Sequence, residues 1–434
     1  MKQTMKRAVC AMLSSAMLLS VCACGGKSSG LSSDTTDLMA NVKPSTNALS
    51  FKKDDELEQT FAFEYRSFAF RLFNQCAKKG SSKQNTLVSP LSVMTALAMT
   101  ANGAKEHTLY EMMDTMYGGT MSLDSVRPLD LSQFNQYLGA YIGSLPSDQK
   151  AKLASANSIW IKDGALDVKK DFLQTNADYY SADIFQSKFD KKTLADINKW
   201  VSDNTDGMIP QILDKIPANA VMYLINALSF EAEWKEIYRE DQVFEGEFTD
   251  IGGKTKTVSM MGSTENGYLD DGKAKGFIKP YSSGYSFVAM VPNEDVPLDE
   301  YVAIMQHLGV IEQIKNGDRK PVLVSMPKFS AEYSTELNDV LRAMGMNDAL
   351  APDKADFSGM ADVKKGELYI NRVIHKTAIQ VDERGTKAGA ATAVEMRTKG
   401  ALMNSVYLNR PFVYMIIDNQ SSLPIFIGPV SHID

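Results

Sequence analysis

Residues 383–403 read Glu383-Arg-Gly-Thr-Lys-Ala-Gly-Ala-Ala-Thr-Ala-Val-Glu-Met-Arg-Thr-Lys-Gly-Ala-Leu-Met403. The first half is mostly small residues, and the second half is polar with basic residues. As a surface connection the stretch is long, and long loops in compact domains are usually functional. It also fits a strand. Thr386, Ala388, Ala390, Thr392, Val394 and Met396 would share one face at period two, and all are small or apolar. Lys387 and Glu395 would point the other way, with Gly389, Ala391 and Ala393. An exposed loop, a buried strand and a plain Ala/Gly linker all remain open from these residues alone.

Strand-like runs flank the stretch. Thr377–Val381 precedes it and Phe412–Asp418 follows. Further strand patterns cover Ser158–Lys162, Ala220–Phe230, Tyr285–Val291, Val322–Phe329, Tyr369–Val381 and Pro424–Pro429. Several lack polar alternation, as in Phe412–Ile417, so both of their faces should be covered. Helical periodicity marks Phe61–Ala77, Leu91–Thr100, Thr108–Met116, Gln133–Ile142, Lys169–Tyr180, Thr193–Thr205 and Leu298–Gln306. Helices come early and strands late, which predicts an α+β fold. No repeat or second linker interrupts residues 57–434, so one domain is expected there.

The amino terminus carries a secretory signal pattern. Lys2, Lys6 and Arg7 precede the apolar run Ala8–Val21, which is too short to span a bilayer. Val21-Cys-Ala-Cys24-Gly25 resembles a bacterial lipobox, with Cys24 as the lipid acceptor. Ordinary signal cleavage, or acylation at Cys22, are the alternatives. Residues 1–23 then form a lipoprotein signal peptide, and the Gly/Ser-rich residues 24–56 a flexible membrane tether. The protein would be exported and held by lipid at the outer face of a bacterial membrane, at the cell surface or outside it. With Cys10 and Cys22 removed and Cys24 lipidated, Cys76 is the only free thiol. It lies on a helical face with Phe68, Leu72 and Phe73, so it is read as buried and structural.

Composition excludes several function classes. The net charge of -7 opposes nucleic-acid binding, which needs a basic excess. Four histidines leave little material for metal sites, and no P-loop, H-E-x-x-H or C-x-x-C occurs. No metal or cofactor is expected. The one G-x-S-x-G match, Gly26–Gly30, sits in the tether without the strand and helix that a nucleophile elbow needs. No enzyme activity is expected.

The chain resembles the serpin family over residues 57–434. The motifs occur in the family's order. They are Asn85-Thr-Leu-Val-Ser-Pro-Leu-Ser92 with Val93–Met99, Ala156-Asn-Ser-Ile-Trp160, Asn198-Lys-Trp-Val201 and Thr205-Asp-Gly-Met-Ile-Pro210. Leu224-Ile-Asn-Ala227, Phe230, Trp234, Ser325-Met-Pro-Lys-Phe329 and Ile374-His-Lys376 continue the series. Asp382-Glu-Arg-Gly-Thr386, Asn409-Arg-Pro-Phe-Val413 and Phe426-Ile-Gly-Pro-Val430 complete it. The resemblance implies about eight to nine helices around three β-sheets, with an exposed reactive loop at about 383–405.

It also implies a mechanism. A protease attacks the loop and forms an acyl-enzyme. The cut loop inserts into the main sheet and the attached protease is distorted before hydrolysis, a strand-addition event. The hinge would comprise Glu383, Gly385, Thr386, Ala388, Ala390, Ala391 and Thr392. Family spacing from Glu383 puts the scissile bond at Lys399-Gly400, directing the inhibitor at trypsin-like serine proteases. Arg397-Thr398 is the next candidate, because the stretch from Gly400 to Pro411 is slightly longer than in common members. An elastase-like protease could cut near Thr398, Ala401 or Val394, and a cysteine protease is a further possible target. Ser89, Ser92, Asn226 and His375 resemble the shutter beneath the main sheet. Trp234, Lys328 and Glu383 resemble the breach at its top. His107, His307 and His432 are read as surface residues. The region 131–150 has only Lys150 as a basic residue, so glycosaminoglycan activation is not expected. A monomer is expected, with an exogenous serine protease as covalent partner. The alternative is a non-inhibitory serpin acting as a binding module.

Overall fold

A computed structural model of the chain describes residues 30–46, 49, 54–79, 85–118, 130–164, 166–305, 308–317, 319–386 and 404–433. Nine α-helices occur among them. They are α1 (Asp55–Lys79), α2 (Pro90–Ala101), α3 (Glu106–Met116), α4 (Leu131–Ser144), α5 (Lys170–Tyr180), α6 (Lys191–Asn204), α7 (Leu298–Ile304), α8 (Val310–Asn316) and α9 (Asn338–Ala343). The strands begin with β1 (Thr35–Asp37), β2 (Ala151–Lys162), β3 (Asp183–Ser187), β4 (Met222–Glu233), β5 (Val243–Thr249) and β6 (Thr255–Asn266). Next come β7 (Tyr268–Asp270), β8 (Ala274–Pro280), β9 (Tyr285–Pro292), β10 (Pro321–Pro327) and β11 (Phe329–Glu336). The last are β12 (Arg372–Val381), β13 (Gly385–Thr386), β14 (Asn404–Tyr407), β15 (Phe412–Asp418) and β16 (Pro424–Val430).

The strands form three sheets. The largest has seven strands in the order β1-β3-β2-β4-β13-β12-β11. A four-stranded sheet runs β14-β10-β6-β5, and a five-stranded sheet runs β16-β15-β9-β8-β7. The expected α+β class and three-sheet layout are therefore observed.

β4 is the spine of the large sheet, and nearly every residue in it is buried. Leu224, Leu228 and Phe230 face the main core. Tyr223, Ile225 and Ala227 face a second cluster with Trp160, Trp200 and Ile197, the last two carried on α6. Helical cover on the outer face explains why this strand lacks polar alternation. α6 starts at a capping box, in which Asp190 accepts from the Thr193 backbone while the Thr193 hydroxyl reaches the Asp190 N–H. α2 packs against β2, β4 and β16, and all of its residues are buried. Pro90 opens it and the Ser89 side chain caps it. Cys76 is fully buried, and burial pushes its thiol up to about 12, so the structural reading of this residue stands.

Two expectations need correction. The run read as one strand, Val322–Phe329, is two strands in different sheets. β10 pairs with β6, and β11 pairs with β12. The chain changes sheets at Lys328, whose N–H goes to the Ser259 carbonyl. Residues 24–56 were expected to be a flexible tether, yet 30–46 are packed on the body. β1 pairs antiparallel with β3 at the sheet edge. The hydroxyls of Ser32 and Thr35 each donate to Asp196 at 2.6 Å, and Asp34 pairs with Lys188 and Lys192. Leu38, Met39 and Val42 pack against the core. A polar three-residue strand has no periodicity of its own, and its partners lie more than a hundred residues away.

Candidate functional site

The large sheet holds two polar constellations, one beneath its middle and one at its top. The lower one is centred on His375 of β12, which is fully buried. Its Nδ1 meets Asn226 Oδ1 across the β4–β12 pair, and its Nε2 accepts the Ser89 N–H at 3.1 Å. These partners fix one tautomer, with the proton on Nδ1. Burial drives the imidazole pKa down to about 3, so the ring is neutral. The Asn226 amide donates to Ser92 Oγ and to Asn157 Oδ1, and the Ser92 hydroxyl donates to Asn157 Oδ1 at 3.0 Å. Ser89, Ser92, Asn226 and His375 are thus brought together from three elements.

Two members of this cluster escaped the sequence reading. Asn157 is the cross-strand partner of Asn226 in the β2–β4 pair. Thr377, two residues past His375 on the same face, donates to the Leu87 carbonyl at 2.7 Å. The available signal was a buried-strand Asn in the Ala156–Trp160 motif, but nothing in the sequence paired it with Asn226.

The upper constellation surrounds the turn from β12 into β13. Trp234 is 1% exposed. Its indole N–H donates to the Asp382 carbonyl at 2.9 Å, and its backbone N–H to the Arg384 carbonyl at 2.8 Å. The Tyr238 N–H takes the Glu383 carbonyl at 2.9 Å. Lys328 Nζ lies 2.6 Å from Glu383 Oε2, and this hydrogen bond is the leading reason that the Glu383 pKa is lowered. Trp234, Lys328 and Glu383 therefore converge.

Tyr281 and Lys279 complete this region and were not anticipated. The Tyr281 ring stacks on Trp234, with centroids 4.4 Å apart. Beneath them lies the buried Lys279 Nζ, 4.3 Å from the Tyr238 ring centroid and 5.3 Å from that of Trp234. It is paired with Glu265 Oε1 at 2.7 Å.

Gly385 and Thr386 already occupy the sheet. They pair antiparallel with Glu233 and Ala232 of β4, while Thr386 also pairs with Val381 of β12. Thr386 is fully buried and its hydroxyl lies 2.8 Å from that of Tyr281. A Cβ on Gly385 would stand 2.0 Å from the Ala232 carbonyl oxygen, and its φ is +153°. Below this point β4 and β12 pair directly, in parallel, from Arg372↔Tyr223 to Ala378↔Ser229. The strands are thus parted at the top and closed beneath. Ala388, Ala390, Ala391, Thr392, Arg397, Thr398, Lys399, Gly400 and Cys24 lie outside the described residues.

A family model described as "Serpin (serine protease inhibitor)" matches residues 64–433. The chain belongs to the serpin family. Leukocyte elastase inhibitor A of Mus musculus is 28% identical over 379 residues, covering 84% of this chain and 97% of that protein. Among solved structures, the thermophilic serpin tengpin in its native state is 44% identical, with a TM-score of 0.84 over 92% of this chain and 100% of that one. Tengpin in its latent state gives 43% and 0.74, over 88% and 100%. The fold is thus nearer to the native form than to the latent one. The family description names protease inhibitors, not catalysts.

Of the histidines read as surface residues, His107 is exposed but touches Asp348, and His432 is half-buried. His307 lies outside the described residues.

Proposed function

We propose that this serpin inhibits trypsin-like serine proteases as a suicide substrate, by inserting its cleaved loop between β4 and β12. The observation that carries the reading is β13, which lies between β4 and β12 and would set the register of such an insertion. Continued downward on that register, Ala388 would fall beside Phe230, Ala390 beside Leu228, Thr392 beside Asn226 and Val394 beside Leu224. These β4 residues are buried, and the three apolar ones belong to the main core, so the small uncharged face of the loop suits them. Ala391 and Ala393 would meet Ala227 and Ile225 under α6, where space is equally tight. Lys387 would face Glu231, and Glu395 would enter between Tyr223 and Arg372, so each charge would find an opposite charge nearby. Lys387 is therefore compatible with insertion.

Lys399-Gly400 is the proposed scissile bond, with Arg397-Thr398 next; both suit a carboxylate-bearing specificity pocket. Membrane attachment through Cys24 is proposed alongside, with export to the outer face. No described helix is long and apolar enough to cross a membrane. The protein is proposed to act as a monomer.

The test is to mix the protein with trypsin, run a denaturing gel and identify the released peptide by mass spectrometry. A denaturant-stable band near the sum of the partners, with cleavage after Lys399, supports both mechanism and register. Cleavage after Arg397 with a complex moves the site. The Thr386→Arg variant should be cut without forming a complex, and undiminished inhibition by it would sink the insertion mechanism.

A further inference from the structure

Away from the large sheet's polar constellations, one cluster joins a histidine and two carboxylates from distant parts of the chain. His107 and Glu111 lie one turn apart on α3. Asp348 opens a 3₁₀ turn, Asp348–Leu350, that packs on the same helix. His107 Nδ1 is 2.8 Å from Asp348 Oδ2 and 3.7 Å from Glu111 Oε1. One donor atom from each residue lies within 4.8 Å of the other two.

The donors are held from behind. Glu111 Oε2 accepts the backbone N–H groups of Asn347 at 2.7 Å and Asp348 at 2.6 Å. That fixes the carboxylate and leaves Oε1 toward the histidine. The His107 ring stacks on Tyr110, with centroids 6.0 Å apart. Asp348 is 8% exposed, whereas the His107 side chain is 61% exposed. The cluster therefore has a protein wall on one side and open solvent on the other, where water could complete a coordination shell.

Charge points the same way. Among the described residues no lysine or arginine pairs with Glu111 or Asp348. A proton on His107 would balance one of the two negative charges, and a divalent ion would balance both.

We propose that His107, Glu111 and Asp348 form a binding site for Zn²⁺ or a similar imidazole-seeking divalent transition metal. Bonds of about 2.0–2.2 Å to nitrogen and oxygen place neighbouring donors of a tetrahedral ion roughly 3.3–3.5 Å apart. The separations of 2.8 and 3.7 Å bracket that spacing, and the two carboxylates complete the triangle within 4.8 Å. The imidazole favours zinc over magnesium and calcium, which prefer all-oxygen shells. The ion would staple α3 to the segment that leads into β12, since Ile370 N–H already bonds the carbonyl of Ala349 within the turn. The site does not depend on the inhibitory reading.

The test titrates zinc chloride into the metal-stripped full chain by calorimetry, beside His107→Ala and Asp348→Asn, with magnesium chloride as control. Wild type should bind one more zinc equivalent than His107→Ala, and its thermal midpoint should rise with zinc while that of His107→Ala stays put. Asp348→Asn should weaken the site at least about tenfold. Cobalt(II) should give visible ligand-field bands that vanish in His107→Ala, a readout that does not need Asp348→Asn to fold. Equal zinc stoichiometry and equal thermal shifts in wild type and His107→Ala would overturn the proposal. So would magnesium that matches zinc in affinity, which would mark an ordinary acidic surface.

Discussion

Replacing His375 with glutamine should change how stability depends on pH more than stability itself. The fully buried ring has its pKa pushed from 6.5 down to about 3 by burial. The folded state thus favours the neutral form. Stability from this residue is complete above pH 6.5 and is lost as pH falls toward 3. The loss is about 1.4 kcal/mol per pH unit, or about 2 kcal/mol between pH 7 and pH 5. Glu64 opposes it. Burial raises its carboxyl from 4.5 to about 7, so stability is gained as pH falls across that window. The gain is also about 2 kcal/mol, and the two contributions nearly cancel in wild type. A flat wild-type profile would therefore prove nothing, and the variant is needed. Glutamine can donate to Asn226 Oδ1 and accept from the Ser89 N–H, so its cost at pH 7 should be about 1 kcal/mol. By pH 5 the order should reverse, with the variant the more stable by about 1 kcal/mol. The assay is urea unfolding at several pH values, read in the first transition by tryptophan fluorescence. A gap between wild type and variant that stays constant from pH 7 to pH 5 would refute the buried neutral histidine.

Two further substitutions probe the top of the sheet. Gly385→Ala forces a methyl group against the Ala232 carbonyl oxygen at 2.0 Å, in a backbone conformation that side chains rarely adopt. It should cost about 3 kcal/mol and expel β13, seen as a lower melting point and faster tryptic cleavage after Arg384; an unchanged melting point would count against the close approach. Lys279→Met strands the carboxylate of Glu265, itself only 8% exposed, and should destabilise by about 3–5 kcal/mol. Adding Glu265→Leu should recover most of that loss, and a double-mutant cycle without coupling would contradict the buried pair.

The elements legible in the sequence are those whose burial is periodic or complete. α6 shows its stripe through Ile197, Trp200 and Val201, and β15 shows an unbroken apolar run. β5 and β6 were missed because much of their surface meets solvent, and charged residues such as Glu245, Glu247 and Lys256 blur the alternation. β1 was missed because its stability comes from β3, α6 and the core. The site behaves likewise. Ser89, Ser92, Asn226 and His375 were found through family resemblance, not through any local spacing. Asn157 and Tyr281 acquire meaning only when strand register sets one against Asn226 and ring stacking sets the other on Trp234. Glu111 and Asp348 are 237 residues apart and no motif could have joined them.

The proposed insertion explains a detail that composition leaves arbitrary. Between residues 388 and 396 the inward face would carry Ala388, Ala390, Thr392, Val394 and Met396, and only Thr392 among them is polar. On the register set by Thr386, that residue would enter between Asn226 and His375. Those two are now bonded to each other, and a strand driven between them must break that bond. A buried donor or acceptor left without a partner costs about 1–3 kcal/mol. An alanine at position 392 would leave the Nδ1 proton of His375 and the Asn226 carbonyl both facing a methyl group. A hydroxyl can accept the first and donate to the second, because it carries one proton and two lone pairs. The one polar residue on an otherwise apolar inward face would thus fall at the level of the fully buried His375. In this reading the shutter bond holds the closed lower half of the sheet together, and the loop carries its replacement.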